Sequence, residues 1–150
     1  MATPRSTLEF VELIGGRSRA VAYDLVGPVA RLLTVAREAC DGDLDKALLM
    51  MVITLCSSGH PDFKDIDFRD LAPDTGLPGA GTNVRSLAES TGIPKETVRR
   101  KVRDLIEAGW VVRNGQTLRY SLQGYHAVQP VRDAIIRMYA RGIQVVGALD

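Results

Sequence analysis

The chain has 150 residues, 45% of them apolar and 25% charged, the balance of one soluble globular domain and not of a disordered or collagen-like chain. Its longest apolar run, Ala47 to Cys56, is half of what a membrane-crossing helix needs. Formal net charge is only +1, yet residues 1–81 carry eight Lys and Arg against twelve Asp and Glu, while residues 82–150 carry eleven against six. Positive charge gathered in one half offers phosphates a local attraction that the net charge hides.

In chain order, Thr7 reads as the cap of a short helix ending at Gly15-Gly16. A second helical pattern runs from Ser18 to Ala39, and Gly27-Pro28 predicts a kink or a split into two helices. Cys40 to Asp43 is turn chemistry, and Asp43 is placed to cap a helix from Leu44 to Ser57 that is apolar on most sides and so expected to be buried. From Ser58 to Gly81 glycines and prolines break every periodicity, leaving a long loop, functional or mobile, with one helical turn near Asp67–Leu71.

The second half is more regular. Thr82 or Asn83 starts a helix through Ser90, Thr91-Gly92 makes a tight turn, and a longer helix spans Pro94 to Ala108, with Pro94 at its first position and Gly109 ending it. Trp110–Arg113 and Gln116–Leu122 flank Asn114-Gly115, the pattern of a β-hairpin, with Leu118, Tyr120 and Leu122 facing inward and Thr117, Arg119 and Ser121 outward. A last helix covers Val128 to Leu149.

Val98, Val102, Leu105 and Ile106 recur at helical spacing, so one face of the Pro94–Ala108 helix is buried; Val84, Leu87, Ala88 and Ile93 complete that core. The opposite face then displays Glu96, Arg100, Arg103 and Glu107, flanked by Lys95, Thr97, Arg99 and Lys101. Arg and Lys suit phosphates and guanine edges, and Glu and Thr suit other groups in the major groove. Pairs such as Glu96–Arg100 and Arg103–Glu107 would support the helix whatever it binds.

The stretch from Val84 to Arg100 (VRSLAESTGIPKETVRR), followed by Leu105 to Val111 (LIEAGWV), resembles the DNA-binding core of bacterial winged helix-turn-helix transcription regulators, most closely the MarR and IclR type. The resemblance implies a mostly α fold with a small β-hairpin, in which residues 44–125 form the winged helix-turn-helix with loop 58–81. Segments 1–43 and 126–150 would be helical dimerisation elements within one domain. It implies a cytoplasmic homodimer that binds double-stranded DNA and regulates transcription, the 94–108 helix in the major groove and the 110–122 wing on the backbone or minor groove. Lys95, Glu96, Thr97, Arg99, Arg100 and Arg103 would lie nearest the groove. Arg113, Asn114 and Arg119 would come from the wing, and Thr82, Asn83 and Arg85 from the start of the preceding helix, whose amides favour anions. The alternative is a winged-helix module that docks a protein or RNA.

Val128, Val131, Ile135, Met138, Gly142, Val145 and Leu149 repeat at spacings of three and four, a stripe expected to join two copies. Other signals carry less. Gly76 to Thr82 has the glycine spacing of a phosphate loop but lacks its lysine. His60 with Asp62, Asp65, Asp67 and Asp70 misses the calcium-loop pattern, so these residues read as caps and solubilising groups. Cys56 reads as a buried packing residue, and Cys40 lies among Glu38, Asp41 and Asp43, which oppose a thiolate. Neither histidine has a nucleophile in a recognisable arrangement, and MATPRSTLEF has no apolar run of the secretory kind. No enzyme activity, metal, cofactor or membrane partner is expected.

Overall fold

The computed structural model describes residues 6–149. Residues 1–5 and 150, part of the segments read as terminal dimerisation elements and of the N-terminus read as carrying no secretory signal, lie outside the described residues. The chain packs as two compact units. One holds the residues up to Val35 together with those from Val131 onward; the other is Ala36–Pro130.

The first unit is helical. Helix α1 (Thr7–Gly16) is capped by Ser6, not by Thr7: the Ser6 hydroxyl accepts from the Glu9 amide and the Glu9 carboxylate accepts from the Ser6 amide. The helix runs through both glycines and stops at Arg17. Helix α2 (Ser18–Ala39) is one element with Pro28 inside it, so the expected split at Gly27-Pro28 does not occur. Helix α7 (Gln129–Gly147) returns to this unit, where the Asp24 carboxylate of α2 accepts from the Arg141 guanidinium and Arg17 donates to the Leu149 carbonyl at 2.6 Å.

The second unit is built on α3 (Leu44–Ser58). Asp41 and Gly42 both take positive φ in the preceding turn, and Asp43 caps the helix by accepting from the Lys46 amide at 3.1 Å. Leu49, Met50 and Ile53 of α3 are fully buried against α4 (Val84–Thr91), α5 (Lys95–Glu107) and the hairpin. Leu44, Leu48 and Leu55 remain exposed, so α3 is buried on one side only. Asn83 caps α4 by accepting from the Ser86 amide, and Gly92 ends it with φ +73°. Thr91 fixes the turn to α5, its hydroxyl donating to the Leu87 carbonyl at 2.7 Å and accepting from the Ile93 amide at 3.3 Å.

Strands β1 (Val111–Asn114) and β2 (Thr117–Tyr120) pair antiparallel, Val111 opposite Tyr120 and Asn114 opposite Thr117. The two-residue loop is therefore Gly115-Gln116, one residue later than the Asn-Gly expectation, with Gly115 supplying the positive φ. Leu122, expected to end the second strand, instead opens α6 (Leu122–Ala127). Its cap, Ser121, expected on the solvent side, is fully buried: its hydroxyl donates to the Gly109 carbonyl at 2.6 Å and accepts from the Gly124 amide at 2.9 Å. Cys56 departs from its expected burial, and Cys40 has the opposed thiolate expected of it. Cys40 is buried, Cys56 only half so, and the Cys40 thiol is pushed up to about 11 by burial first, then by Asp43 and Asp41. No described helix is long and apolar enough to cross a membrane.

Segment 58–81 is neither extended nor featureless. It holds two 3-10 turns, Pro61–Asp65 and Phe68–Asp70, capped by His60 and Asp67. Phe63 and Phe68 pack their rings on Tyr120 and Tyr125, with Phe68 and Tyr125 centroids 4.7 Å apart. Beyond them the chain runs along β2. The Leu77 amide donates to the Tyr120 carbonyl at 3.0 Å, and Thr82 and Leu118 exchange hydrogen bonds in both directions at 2.7 and 2.9 Å.

Two opposed ion pairs set α5 against α3. Lys101 reaches Asp43 and, at 3.5 Å, Asp45, while Lys46 reaches Asp104 at 3.0 Å. Burial alone would raise the Asp43 carboxyl, but the hydrogen bonds from Lys101 and from the Lys46 amide outweigh it and hold it below the ordinary 3.8. Lys101 is held above its ordinary value, chiefly by the bond to Asp43. Asp43→Ala removes a cap and strands a mostly covered ammonium, and should cost about 2–3 kcal/mol in denaturant unfolding. Asp43→Asn keeps the cap and isolates the charge. Because the folded carboxyl lies below its unfolded value, its contribution is complete above pH 3.8 and fades as pH falls through the folded value. The stability gap between the wild type and Asp43→Asn should therefore close with acidification below that point.

Candidate nucleic-acid interface

The buried face of α5 is Val98, Val102 and Leu105, with Ile106 half-covered, so the helix has one rotational setting. Lys101 and Asp104 flank that face and are engaged with α3. What remains outward is Lys95, Glu96, Arg99, Arg100, Arg103 and Glu107, all exposed, with Thr97 half-buried at the edge. The ion pair within this face is Glu96–Arg99, not the expected Glu96–Arg100. Among the described residues no carboxylate pairs with Lys95, Arg100, Arg103 or Arg113. Arg100 and Arg103 are three residues apart on one stripe, so both guanidinium groups point away from the core.

The residues expected at the start of α4 divide. Arg85 donates from Nε to Glu89 at 2.8 Å, which raises its proton affinity and offsets its charge toward an anion. The Thr82 amide is bonded to Leu118, and Asn83 closes the end of α4 with its own side chain. Two of the amides at that end, those of Thr82 and Ser86, are thus already used. Helix α5 differs. Pro94 is its N-cap, not its first residue, and offers no side-chain hydrogen bond, so the leading amides of α5 have no cap beside the exposed Lys95. A proline directly before the basic helix is the sequence signal for this, because its ring carries neither donor nor acceptor.

The hairpin brings Arg113, Asn114, Thr117 and Arg119 around one hollow of about 420 Å³ with Gly76 and Val112. Arg113 and Asn114 are exposed at the tip, while Arg119 is half-buried with its methylenes beside Gly76 and Gly81. Basic groups therefore lie at the N-terminus of α5, along its outer face and on the wing, all within one unit.

The glycine-rich segment contributes Gly76 to the lining of that hollow, and its other glycines serve packing. A Cβ on Gly79 would collide with the Cys56 carbonyl and the Ser57 backbone, and one on Gly81 would enter the space of Thr117 and the Leu118 carbonyl. These glycines permit close packing of the segment onto α3 and β2, a role the phosphate-loop spacing does not reveal. Among the described residues no group of three His, Cys, Asp or Glu is placed to hold a metal ion. Comparison of the chain with protein-family models, curated proteins and solved structures gives no match.

Gly79→Ala should destabilise the protein by about 3 kcal/mol in thermal or denaturant unfolding, since backbone must move and φ is +135°. Gly115→Ala, with positive φ but open space around it, should cost only about 1 kcal/mol.

Proposed function

We propose that the Ala36–Pro130 unit is a winged helix-turn-helix module that binds double-stranded DNA sequence-specifically, and that the protein regulates transcription. Helix α5 enters the major groove and the β1–β2 wing meets the flanking backbone or minor groove. The observation that carries this reading is the pair of exposed guanidinium groups, Arg100 and Arg103, with no carboxylate partner among the described residues, on a helix whose other side is fixed by core and ion pairs. Support comes also from element order. Helix α3, the Thr82 pairing, α4, α5 and the hairpin follow one another as winged modules arrange a helix, an edge strand, two helices and a wing. Guanidinium groups read guanine O6 and N7 bidentately, and uncapped amides at a helix start suit a phosphate.

Each part has its own signature in binding titrations on preferred and random duplexes. Arg100→Ala should weaken the preferred site by about 1–3 kcal/mol and relax discrimination at one base pair. Because Glu96 is paired with Arg99, this substitution frees no carboxylate against the DNA, and Glu96→Ala is the control for that. Arg113→Ala should weaken both duplexes about equally and flatten the logarithmic salt slope by roughly 0.9. Should both substitutions leave affinity, discrimination and salt slope untouched, this face does not hold DNA, and docking of a protein becomes the better reading.

A further inference from the structure

We infer that the outer face of the wing holds a binding site for the phosphate group of a small organic phosphate ester. The inference does not rest on DNA binding. In the β1–β2 ladder Val112 stands opposite Arg119, and Asn114 opposite Thr117. Alternation along the strands puts these four side chains on one face, while Val111, Leu118 and Tyr120 are buried on the other. On the outer face they surround the hollow of about 420 Å³, with Gly76 and Arg113 completing its wall.

That wall is built before any ligand arrives. Gly76 pairs with Ser121, the Leu77 amide donates to the Tyr120 carbonyl, and Thr82 exchanges hydrogen bonds with Leu118. A Cβ on Gly76 would lie 2.8 Å from a Val112 methyl, so segment and ladder are in contact there. Both sides of the hollow therefore belong to one hydrogen-bonded sheet.

The lining is rich in donors and holds no acid. Two guanidinium groups, the Asn114 amide and the Thr117 hydroxyl line one space. Among the described residues neither Arg113 nor Arg119 has a carboxylate partner. Arg119 carries the sharper signal. It is half-buried, its methylenes lie beside Gly76 and Gly81, and its Nε is covered without a hydrogen-bond partner among the described residues. A covered donor left unmade is costly and uncommon in a native chain, and a bond to an oxyanion is among the strongest that satisfy it. An oxyanion seated beside the Arg119 stem takes the Nε and Nη edge of the guanidinium together. Its other oxygens are left to Asn114, Thr117 and Arg113. Donors from four side chains suit the three terminal oxygens of a phosphate ester better than the two of a carboxylate. The volume falls within the roughly 300–1,000 Å³ of small-molecule sites and exceeds what a bare anion fills, so the ligand carries an organic body.

Calorimetric titration of the purified full chain, without nucleic acid, tests this with adenosine 5′-monophosphate against adenosine. The monophosphate should bind once per chain with a Kd of about 0.1–1 mM at low salt, and adenosine should give no saturable heat. Asn114→Asp, at an exposed strand end, sets a carboxylate in the hollow and should weaken binding about tenfold or more with the melting temperature unchanged. Arg119→Gln should weaken it as much, and Arg100→Ala, on α5, should leave it unchanged. A backbone phosphate of duplex DNA offers the same chemistry, and a labelled duplex separates the two sources. Displacement of the duplex by the monophosphate shows that a backbone phosphate also uses the hollow; simultaneous binding reserves the hollow for the free ester. A chain that binds no duplex leaves the calorimetric result standing by itself. The absence of saturable heat from the monophosphate up to about 10 mM overturns the inference. So does equal binding of adenosine, or an affinity unchanged in both Asn114→Asp and Arg119→Gln.

Discussion

The crossed ion pairs between α3 and α5 decide what the outer face of α5 can be. Asp43 does two things at once: it ends the turn from Cys40 by capping α3, and it anchors Lys101. Lys46, one turn into α3, answers with Asp104. Turning α5 by one position would set Arg103 in place of Asp104 opposite Lys46, or, in the other sense, leave Asp43 and Lys46 facing the uncharged Val102 and Leu105. Burial of Val98, Val102 and Leu105 sets the rotation of α5 against α3, and the two ion pairs hold that setting from its flanks. Arg100 and Arg103 point outward as a result of contacts they do not make.

The same logic accounts for segment 58–81. A stretch this poor in regular hydrogen bonding stays ordered only if other groups satisfy and cover it. Aromatic rings cover its first part, and its last part becomes an additional edge for β2 through Leu77 and Thr82. Covering that edge removes the open hydrogen-bonding row that a bare hairpin would present to other chains. It also pins the stem of Arg119, so the wing arises from a fixed base.

Local chemistry was legible where local rules decide. Caps at Asp43 and Asn83, the glycines at positions 92 and 109, the hairpin itself and the buried stripe of α5 all follow from side-chain type and spacing. What escaped depended on partners distant in sequence. Nothing near Ser121 says that its hydroxyl will bridge Gly109 and Gly124, and nothing near Gly79 says that the end of α3 will lie against it. The one-residue shift of the hairpin loop shows the limit of a dipeptide rule: cross-strand pairing fixed the register, and Gly115 served it equally well. On α7 the apolar residues form two stripes, Val131 and Val145 buried within the chain and Ile136, Tyr139 and Ile143 exposed, and periodicity alone cannot tell which is turned inward. In the candidate site, Arg100 and Arg103 were readable as outward from their spacing, whereas the use of the Thr82 amide and the bare start of α5 required the fold.

The two units also differ in how the chain must be laid down. Ala36–Pro130 is one uninterrupted stretch, so its contacts close over modest distances along the chain and can form as soon as that stretch is available. The helical unit joins α1 and α2 to α7, across the whole of the other unit, and the link from Arg17 to Leu149 spans 132 positions. During synthesis α1 and α2 therefore emerge first and wait longest, their apolar sides uncovered while the intervening module is made. That interval is when this chain is most exposed to wrong partners, and α7 ends it.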